Sequence, residues 1–174
     1  KMAPFNRYQT IDVVRAIAES GRDDIILYTG NDDSIVVDLF TPFTFDSNGK
    51  KVTRRIEGGL LGHWGVWTQA SVKLLEDIKV ARESSTIDKQ WLDTAIAVTD
   101  MNAALFDSAN KFAGCIPGIL EVLRRQGLVP TINCLNPHEV LSPGQAEELD
   151  RVCQAYPELI DDAFVAEHLD EWLA

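Results

Sequence analysis

The sequence predicts a mixed α/β fold in which strands alternate with helices and a helical segment follows. Residues 25–28 read Ile-Ile-Leu-Tyr, a continuous apolar run of the kind found in parallel strands that are covered on both faces. This run lies between two segments of helical periodicity and ends in a polar loop that contains Gly30. Helix, strand, polar loop and helix in this order are typical of a βα repeat.

The first helices and the first strand are predicted from the residues at their ends. Residues 11–20 predict an amphipathic helix, with Thr10 as its N-cap and Gly21 just beyond its end. The strand of residues 25–28 comes next. Ser34 is then predicted to begin a second, short helix that ends near Leu39.

Residues 41–55 predict a surface hairpin, because Asn48-Gly49 separates two β-prone stretches. We expect this hairpin to be an insertion at about residues 42–54. Residues 58–67 are apolar and rich in glycine, and they predict a second buried strand whose end needs close backbone approach. A helix from Thr68 or Ser71 to about Glu83 follows.

From residue 86 onward, apolar residues recur at helical spacing and the alternation typical of strands is missing. The sequence therefore predicts two parts, residues 1–85 with the strands and residues 86–174 as a helical segment. Helices are predicted at residues 119–126, 144–155 and 163–173, where proline or glycine marks the ends.

Composition excludes several classes of partner. The 174 residues carry 27 acidic and 16 basic side chains, a formal net charge of -11 that repels nucleic acid and anionic membrane surfaces. Three cysteines without CxxC spacing indicate neither a disulfide framework nor a zinc site. No apolar run approaches the ~20 residues that span a bilayer. We therefore expect a cytoplasmic protein that binds neither nucleic acid nor membrane.

Two parallel strands that are buried on both faces do not make a stable sheet alone. The chain also opens with Lys1 and only then Met2, which is not how an unprocessed translation product begins. The expectation is that this chain is the C-terminal half of a larger α/β enzyme, whose other strands complete the sheet.

Several features in one order carry a family resemblance. Lys1 precedes a helix, Tyr28-Thr29-Gly30-Asn31-Asp32-Asp33 follows a strand, and a glycine-rich strand comes next. Ile116-Pro117-Gly118-Ile119 and Arg125-Gln126-Gly127-Leu128 lie in the helical tail. In this order the chain resembles the last quarter of the (β/α)8 barrel, with its C-terminal helices, of the dihydrodipicolinate synthase and N-acetylneuraminate lyase family. The resemblance implies that the two strands are strands seven and eight of a TIM barrel.

The resemblance also implies a chemistry. Lys1 would be the Schiff-base lysine at the end of strand six, which condenses with pyruvate or a related 2-oxo acid in an aldolase-type lyase or synthase. The imine acts as an electron sink for deprotonation or carbon–carbon cleavage. The attacking amine must be neutral, which a nearby cation favours, and Arg7 is a candidate for that cation. Met2-Ala3-Pro4-Phe5 after the lysine is unusual for the family.

The other candidate residues lie in the loops after strands seven and eight, where barrel active sites form. Gly30 would bring backbone groups to the substrate, and Asn31 and Asp32 would position a hydroxylated substrate or simply cap the next helix. Leu61, Gly62 and His63 would line the pocket. His63 is either an acid or base or, as we prefer, a packing residue.

Two other functions stay open. The chain is alternatively a non-catalytic helical interaction module, or a barrel enzyme that holds a phosphate ester at the glycine-rich strand without imine chemistry. The sequence has no metal-ligand motif, and imine chemistry requires neither metal nor organic cofactor. The resemblance further implies that the helical tail contributes to a homo-oligomer.

Overall fold

The structure is a computed structural model that describes residues 1–60 and 62–174. Over these residues the fold is mixed α/β, with small sheets that contain both parallel and antiparallel pairs. The strands are β1 (Leu27–Thr29), β2 (Phe43–Ser47), β3 (Lys50–Arg54) and β4 (Ile56–Gly59). The helices are α1 (Arg7–Glu19), α2 (Ile35–Phe40), α3 (Thr68–Ala81), α4 (Gln90–Phe106), α5 (Cys115–Arg125), α6 (Gln145–Ala155) and α7 (Asp162–Trp172).

The chain divides into two compact units. The first, called the sheet unit, comprises Lys1–Leu61 and Leu75–Ala95. The second, called the helical unit, comprises Gly62–Leu74 and Ile96–Ala174. Helices α3 and α4 each contribute residues to both units, whereas every described strand belongs to the sheet unit.

Strands β1 and β4 pair with each other in parallel. The apolar runs of the sequence predict this parallel type of strand, but not the pairing. Leu27 pairs with Ile56, and Thr29 pairs with Gly59 after a shift of register. On the other side of β1, Met2 forms a parallel bridge with Thr29. The strand segments therefore lie in the order Met2, β1, β4, which is also their order along the chain.

The prediction that residues 25–28 are covered on both faces is wrong for this structure. Strand β1 begins two residues later, at Leu27, and its burial alternates: Leu27 and Thr29 are buried whereas Tyr28 is 39% exposed. Ile26, just before the strand, is 66% exposed. A continuous apolar run hides this alternation, because hydropathy alone does not distinguish the two faces of a strand.

The predicted glycine-rich strand of residues 58–67 is also corrected. Strand β4 begins earlier, at Ile56, and ends at Gly59, while residues 62–64 form a short 3-10 helix. Ile56 is fully buried and lies in register with Leu27, so its branched side chain, and not the glycines, anchors this strand. The amide of Leu60 makes the last bond of the ladder, to the Thr29 carbonyl at 3.0 Å.

The predicted hairpin is confirmed. Strands β2 and β3 pair antiparallel from Phe43–Arg54 to Ser47–Lys50. The turn residues Asn48 and Gly49 both have positive φ, at 54° and 77°, which is the backbone twist that favours Asn-Gly in two-residue hairpin loops.

The first helix begins earlier than predicted, at Arg7. Asn6 is its N-cap, and the Asn6 side chain accepts hydrogen bonds from the amides of Tyr8 and Gln9. Thr10, predicted as the cap, is instead a fully buried residue of the helix. Asn and Thr are both favourable caps, so only the backbone path decides between them.

The core of the sheet unit lies between its strands and its helices, where the apolar side chains of several elements are buried. They include Val14, Ala18, Leu27, Val36, Leu39, Ile56 and Ile78. Arg82 of the same unit is mostly buried, and its guanidinium bonds the Glu57 carboxylate at 2.6 Å and the Ile56 carbonyl at 3.3 Å.

The helical unit confirms that the tail is helical. Its core includes Val98, Met101, Leu105, Val122, Leu149, Val152 and Val165. Helix α5 begins at Cys115, four residues before the predicted start, so that Pro117 lies in its first turn. Among the helices of residues 1–60 and 62–174, none is both long and apolar enough to cross a membrane.

Candidate active site at the strand ends

Three parallel strand segments end side by side in the sheet unit. The Met2 amide donates to the Tyr28 carbonyl at 2.9 Å, and the Gly30 amide donates to the Met2 carbonyl at 2.8 Å. These two bonds flank Thr29 and place the start of the chain next to the end of β1. Lys1 and Gly30, which the sequence assigned to one site, therefore belong to neighbouring segments of one sheet.

The two faces of this sheet differ in burial. Met2, Leu27 and Thr29 are buried on one face, with exposed fractions of 7%, 6% and 0%. Lys1 and Tyr28 are the residues that alternate with them, and both are exposed. Because side chains alternate along a strand and match across a parallel register, Lys1 and Tyr28 share the exposed face.

Gly58 pairs with Tyr28 across β1 and β4, and it lies directly beneath the tyrosine ring. A Cβ atom at Gly58 would meet Cε1 of Tyr28 at 2.6 Å, which is closer than such atoms approach. Because Gly58 has no side chain, the Tyr28 ring has room to lie over β4.

Asn31 is buried and makes three hydrogen bonds inside the sheet unit. Its amide donates to the Thr29 hydroxyl at 3.0 Å, and its side-chain Nδ2 donates to the Thr10 hydroxyl at 2.9 Å. Its Oδ1 accepts from the Phe5 amide at 3.1 Å. Asn31 thus ties the segment after Met2, helix α1 and the end of β1 to one another, and its role as a substrate ligand stays a prediction.

Asp32 begins a 3-10 helix of three residues that precedes α2. Burial raises the pKa of its carboxyl above the ordinary aspartate value, backbone hydrogen bonds oppose this, and the neighbouring Asp33 adds to the rise. The two carboxylates make this end of β1 acidic.

Arg7 was a candidate for the cation near Lys1, but its guanidinium pairs with the Asp38 carboxylate. It also lies 5.7 Å from the ring centroid of Phe43. Asp38 has no solvent exposure, so the pair compensates a buried charge in helix α2. The positive charge of Arg7 is therefore largely neutralised by the Asp38 carboxylate.

The remaining predicted site residues belong to a different part of the chain. Leu61 lies outside the described residues. Gly62 and His63 belong to the helical unit, whereas Lys1, Gly30, Asn31 and Asp32 belong to the sheet unit. Gly62 begins the 3-10 helix that contains His63.

His63 is a packing residue in the helical unit. Its ring is 1% exposed and meets the Trp67 ring edge to face, with 5.6 Å between centroids. Neither ring nitrogen has a hydrogen-bond partner in the described part of the chain. Burial lowers the pKa of His63 to about 4, so the imidazole is neutral at physiological pH.

The helical unit has an open cavity of about 310 Å³ between α4 and the start of α6. Asp107 at its edge accepts hydrogen bonds from the Ser142 hydroxyl, from Asn110 and from the Gly114 amide. Gln145 donates to the Gly114 carbonyl at 2.9 Å. Because these polar groups bind one another, they account for the local fold of the unit.

Sequence reasoning missed Tyr28 as a candidate site residue. The observation that points to Tyr28 is the strand register. Met2 pairs with Thr29, so the residues just before them, Lys1 and Tyr28, share a face of the sheet. That signal becomes readable only when the pairing of Met2 with Thr29 is known. No group of three or more histidine, cysteine or acidic side chains within residues 1–60 and 62–174 is arranged to hold a metal ion.

Comparison of the chain with protein-family models, with curated proteins and with solved structures finds no match.

Proposed function

We propose that this chain supplies the end of strand six and the whole of strands seven and eight of a (β/α)8 barrel of the dihydrodipicolinate synthase and N-acetylneuraminate lyase type. Lys1 then forms an imine with pyruvate or a related 2-oxo acid, in an aldolase-type lyase or synthase. One observation carries the proposal: Met2, β1 and β4 are parallel neighbours in chain order, with Lys1 on their exposed face.

The sheet order is the order that a barrel requires. In a (β/α)8 barrel each strand is parallel to the one before it, and a helix connects the two. Helix α1 connects Met2 to β1, and α2 with the β2–β3 hairpin connects β1 to β4. The hairpin then is an insertion in the last crossover connection.

The two unpaired edges and the exposed face of the sheet are consistent with further strands beside it. In the part of the chain that the structure describes, neither Met2 nor β4 has a strand on its outer edge. The face that carries Lys1 also exposes Ile26 and Tyr28, by 66% and 39%. In a barrel the same edges pair with other strands, and the same face becomes the packed interior.

The imine step needs only the lysine amine and the substrate ketone. The neutral Nζ of Lys1 attacks the ketone carbon, the resulting carbinolamine loses water, and a protonated C=N bond remains. The iminium accepts the electron pair from an adjacent C–H or C–C bond that breaks. Gly30, Asn31 and Asp32 of the sheet unit are proposed to surround this centre, and the helical tail to contribute to an oligomer interface.

Borohydride trapping tests the proposal on the intact protein. Borohydride reduces the pyruvate imine to a stable secondary amine, so the peptide that contains Lys1 gains the mass of the reduced adduct. We expect this gain on Nζ of Lys1, assigned by fragmentation. Lys1→Arg should abolish it, while Lys51→Arg, a change of an exposed lysine on β3, should retain it. A labelled wild-type protein is expected, and an unlabelled Lys1 peptide contradicts imine chemistry.

A further inference from the structure

We infer that Asn31 is a positioning residue for Lys1, and that it holds the segment that carries the lysine in the register that the imine step needs. This inference rests on the proposed function of Lys1 and deepens it, because it assigns Asn31 a role that acts through the lysine. Two features of the sheet unit carry it: the buried hydrogen bonds of the Asn31 side chain, and the strained backbone at Phe5 that one of these bonds holds.

Met2 is the point at which the first segment of the chain joins the sheet. Its amide and its carbonyl bond to Tyr28 and Gly30, at 2.9 and 2.8 Å, and this bridge sets the register that places Lys1 on the exposed face. A shift of register by one residue would exchange the two faces and turn Lys1 inward. A bridge of one residue pair determines register only weakly, so the position of the lysine depends on a second anchor.

Asn31 supplies this second anchor at Phe5. The Asn31 Oδ1 atom accepts a hydrogen bond from the Phe5 amide at 3.1 Å. In the part of the chain that the structure describes, this is the hydrogen bond that holds the backbone of residues 3–5. Asn31 also directly follows Gly30, whose amide donates to the Met2 carbonyl. The segment that carries the lysine is thus tied at both ends to two consecutive residues after β1.

The Asn31 side chain is itself held in place. It is 2% exposed, and its Nδ2 donates to the hydroxyl of Thr10 in α1 at 2.9 Å. Its backbone amide donates to the Thr29 hydroxyl at 3.0 Å, and both threonines are fully buried. A buried amide with both ends bonded has a defined orientation. It therefore suits a positioning role better than direct contact with a substrate.

Phe5 adopts a backbone conformation that needs such support. Its φ is 48°, in the left-handed region that residues other than glycine rarely adopt. Its side chain is 55% exposed, so packing of the ring contributes little to offset the strain. The hydrogen bond to Asn31 offsets it instead. Without that bond we expect residues 3–5 to take another path and to displace Lys1.

The test measures the rate of imine formation on the intact protein, which is mixed with pyruvate and quenched with borohydride at set times. Asn31→Ala should lower the rate at saturating pyruvate about tenfold, because a displaced amine reaches the ketone less often. The pyruvate concentration that gives half of the maximal rate should stay within about twofold of wild type, since no substrate contact is removed. Asn110→Ala is the matched control. It removes a side-chain hydrogen bond to Asp107 in the helical unit and should keep the wild-type rate.

A rescue experiment separates positioning from a general loss of structure. Phe5→Gly in the Asn31→Ala background allows residue 5 to keep its positive φ without strain, so the rate should return to within about threefold of wild type. Thr10→Val replaces Asn31→Ala if that variant loses its fold, as monitored by circular dichroism. It removes the acceptor of the Asn31 Nδ2 and should lower the rate about threefold, and Phe5→Gly should again restore the rate.

Two results would overturn the positioning role and leave the imine in place. One is a folded Asn31→Ala protein whose rate at saturating pyruvate stays within about twofold of wild type, whatever its half-maximal pyruvate concentration. The other is a lowered rate that Phe5→Gly does not restore. A wild-type protein without label on Lys1 overturns both proposals, so the two failures are distinct.

Discussion

Arg7 of helix α1 pairs with Asp38 of helix α2, and the Asp38 side chain is completely buried while the Arg7 side chain is 39% exposed. Neither oxygen of the Asp38 carboxylate has a hydrogen-bond partner in the described part of the chain. The stability of this buried charge therefore depends on Arg7. The pair also joins the helix before β1 to the helix after it.

Replacing Arg7 by methionine should destabilise the protein by about 3 kcal/mol, because it leaves a buried carboxylate without a counter-charge. Arg7→Met combined with Asp38→Asn should recover at least half of that loss, since the neutral amide is less costly to bury. Urea unfolding of the single and double variants measures both effects.

Arg22→Met is the matched control, because Arg22 pairs with Asp24 where both side chains are more than 60% exposed. We expect no measurable loss of stability for this variant. An Arg7→Met protein as stable as Arg22→Met would contradict the dependence of Asp38 on Arg7.

The buried neutral imidazole of His63 predicts a dependence of stability on pH. Its folded pKa of about 4 lies below the ordinary 6.5, so between these values the unfolded state binds a proton that the folded state does not. The free energy of unfolding should therefore fall by about 3 kcal/mol as the pH decreases from 6.5 to 4. His63→Phe should remove this part of the slope, as followed by urea unfolding at several pH values.

His138→Phe serves as the control for this prediction, because His138 is exposed and its replacement should leave the wild-type slope intact. The ring of His63 can also be titrated directly by NMR. A midpoint above pH 6 for this ring would show that burial does not hold the imidazole neutral.

Gly118 of α5 lies against the end of α4, so replacing it by alanine should cause a steric clash. A Cβ atom there would meet the Leu105 carbonyl oxygen and, at 2.6 Å, Nε2 of Gln145. Because the Leu105 carbonyl is backbone and cannot rotate away, Gly118→Ala should destabilise the protein by about 3 kcal/mol despite the better helix propensity of alanine. Thermal unfolding checks this value.

Ile116→Ala is a suitable comparison in the same helix, since Ile116 is 50% exposed. The free energy of unfolding of Ile116→Ala should fall by about 1 kcal/mol or less, because only half of the side chain is buried against the protein. Equal losses for the two variants would mean that α5 can move away from Leu105 at little cost.

The elements most accessible to sequence reasoning were those with a local cause. Asn48-Gly49 predicted its hairpin because the turn needs two residues of positive φ, and the tail was predicted as helical from its periodicity. The first helix was placed too late, since Asn6 and Thr10 are both acceptable caps. The glycine-rich strand was placed too late for a related reason: Ile56 anchors it through a partner on β1 that is distant in the chain.

For the candidate site, the sequence by itself determined which residues have suitable chemistry and that residues 25–28 and a segment near residue 58 have the pattern of parallel strands. Only the tertiary structure decided that Met2 joins β1, that Lys1 and Tyr28 share a face, and that Asn31 and Arg7 are engaged inside the sheet unit. Local patterns record backbone preference and burial. The register between strands depends instead on hydrogen bonds between segments far apart in the chain, and a shift by one residue exchanges the two faces.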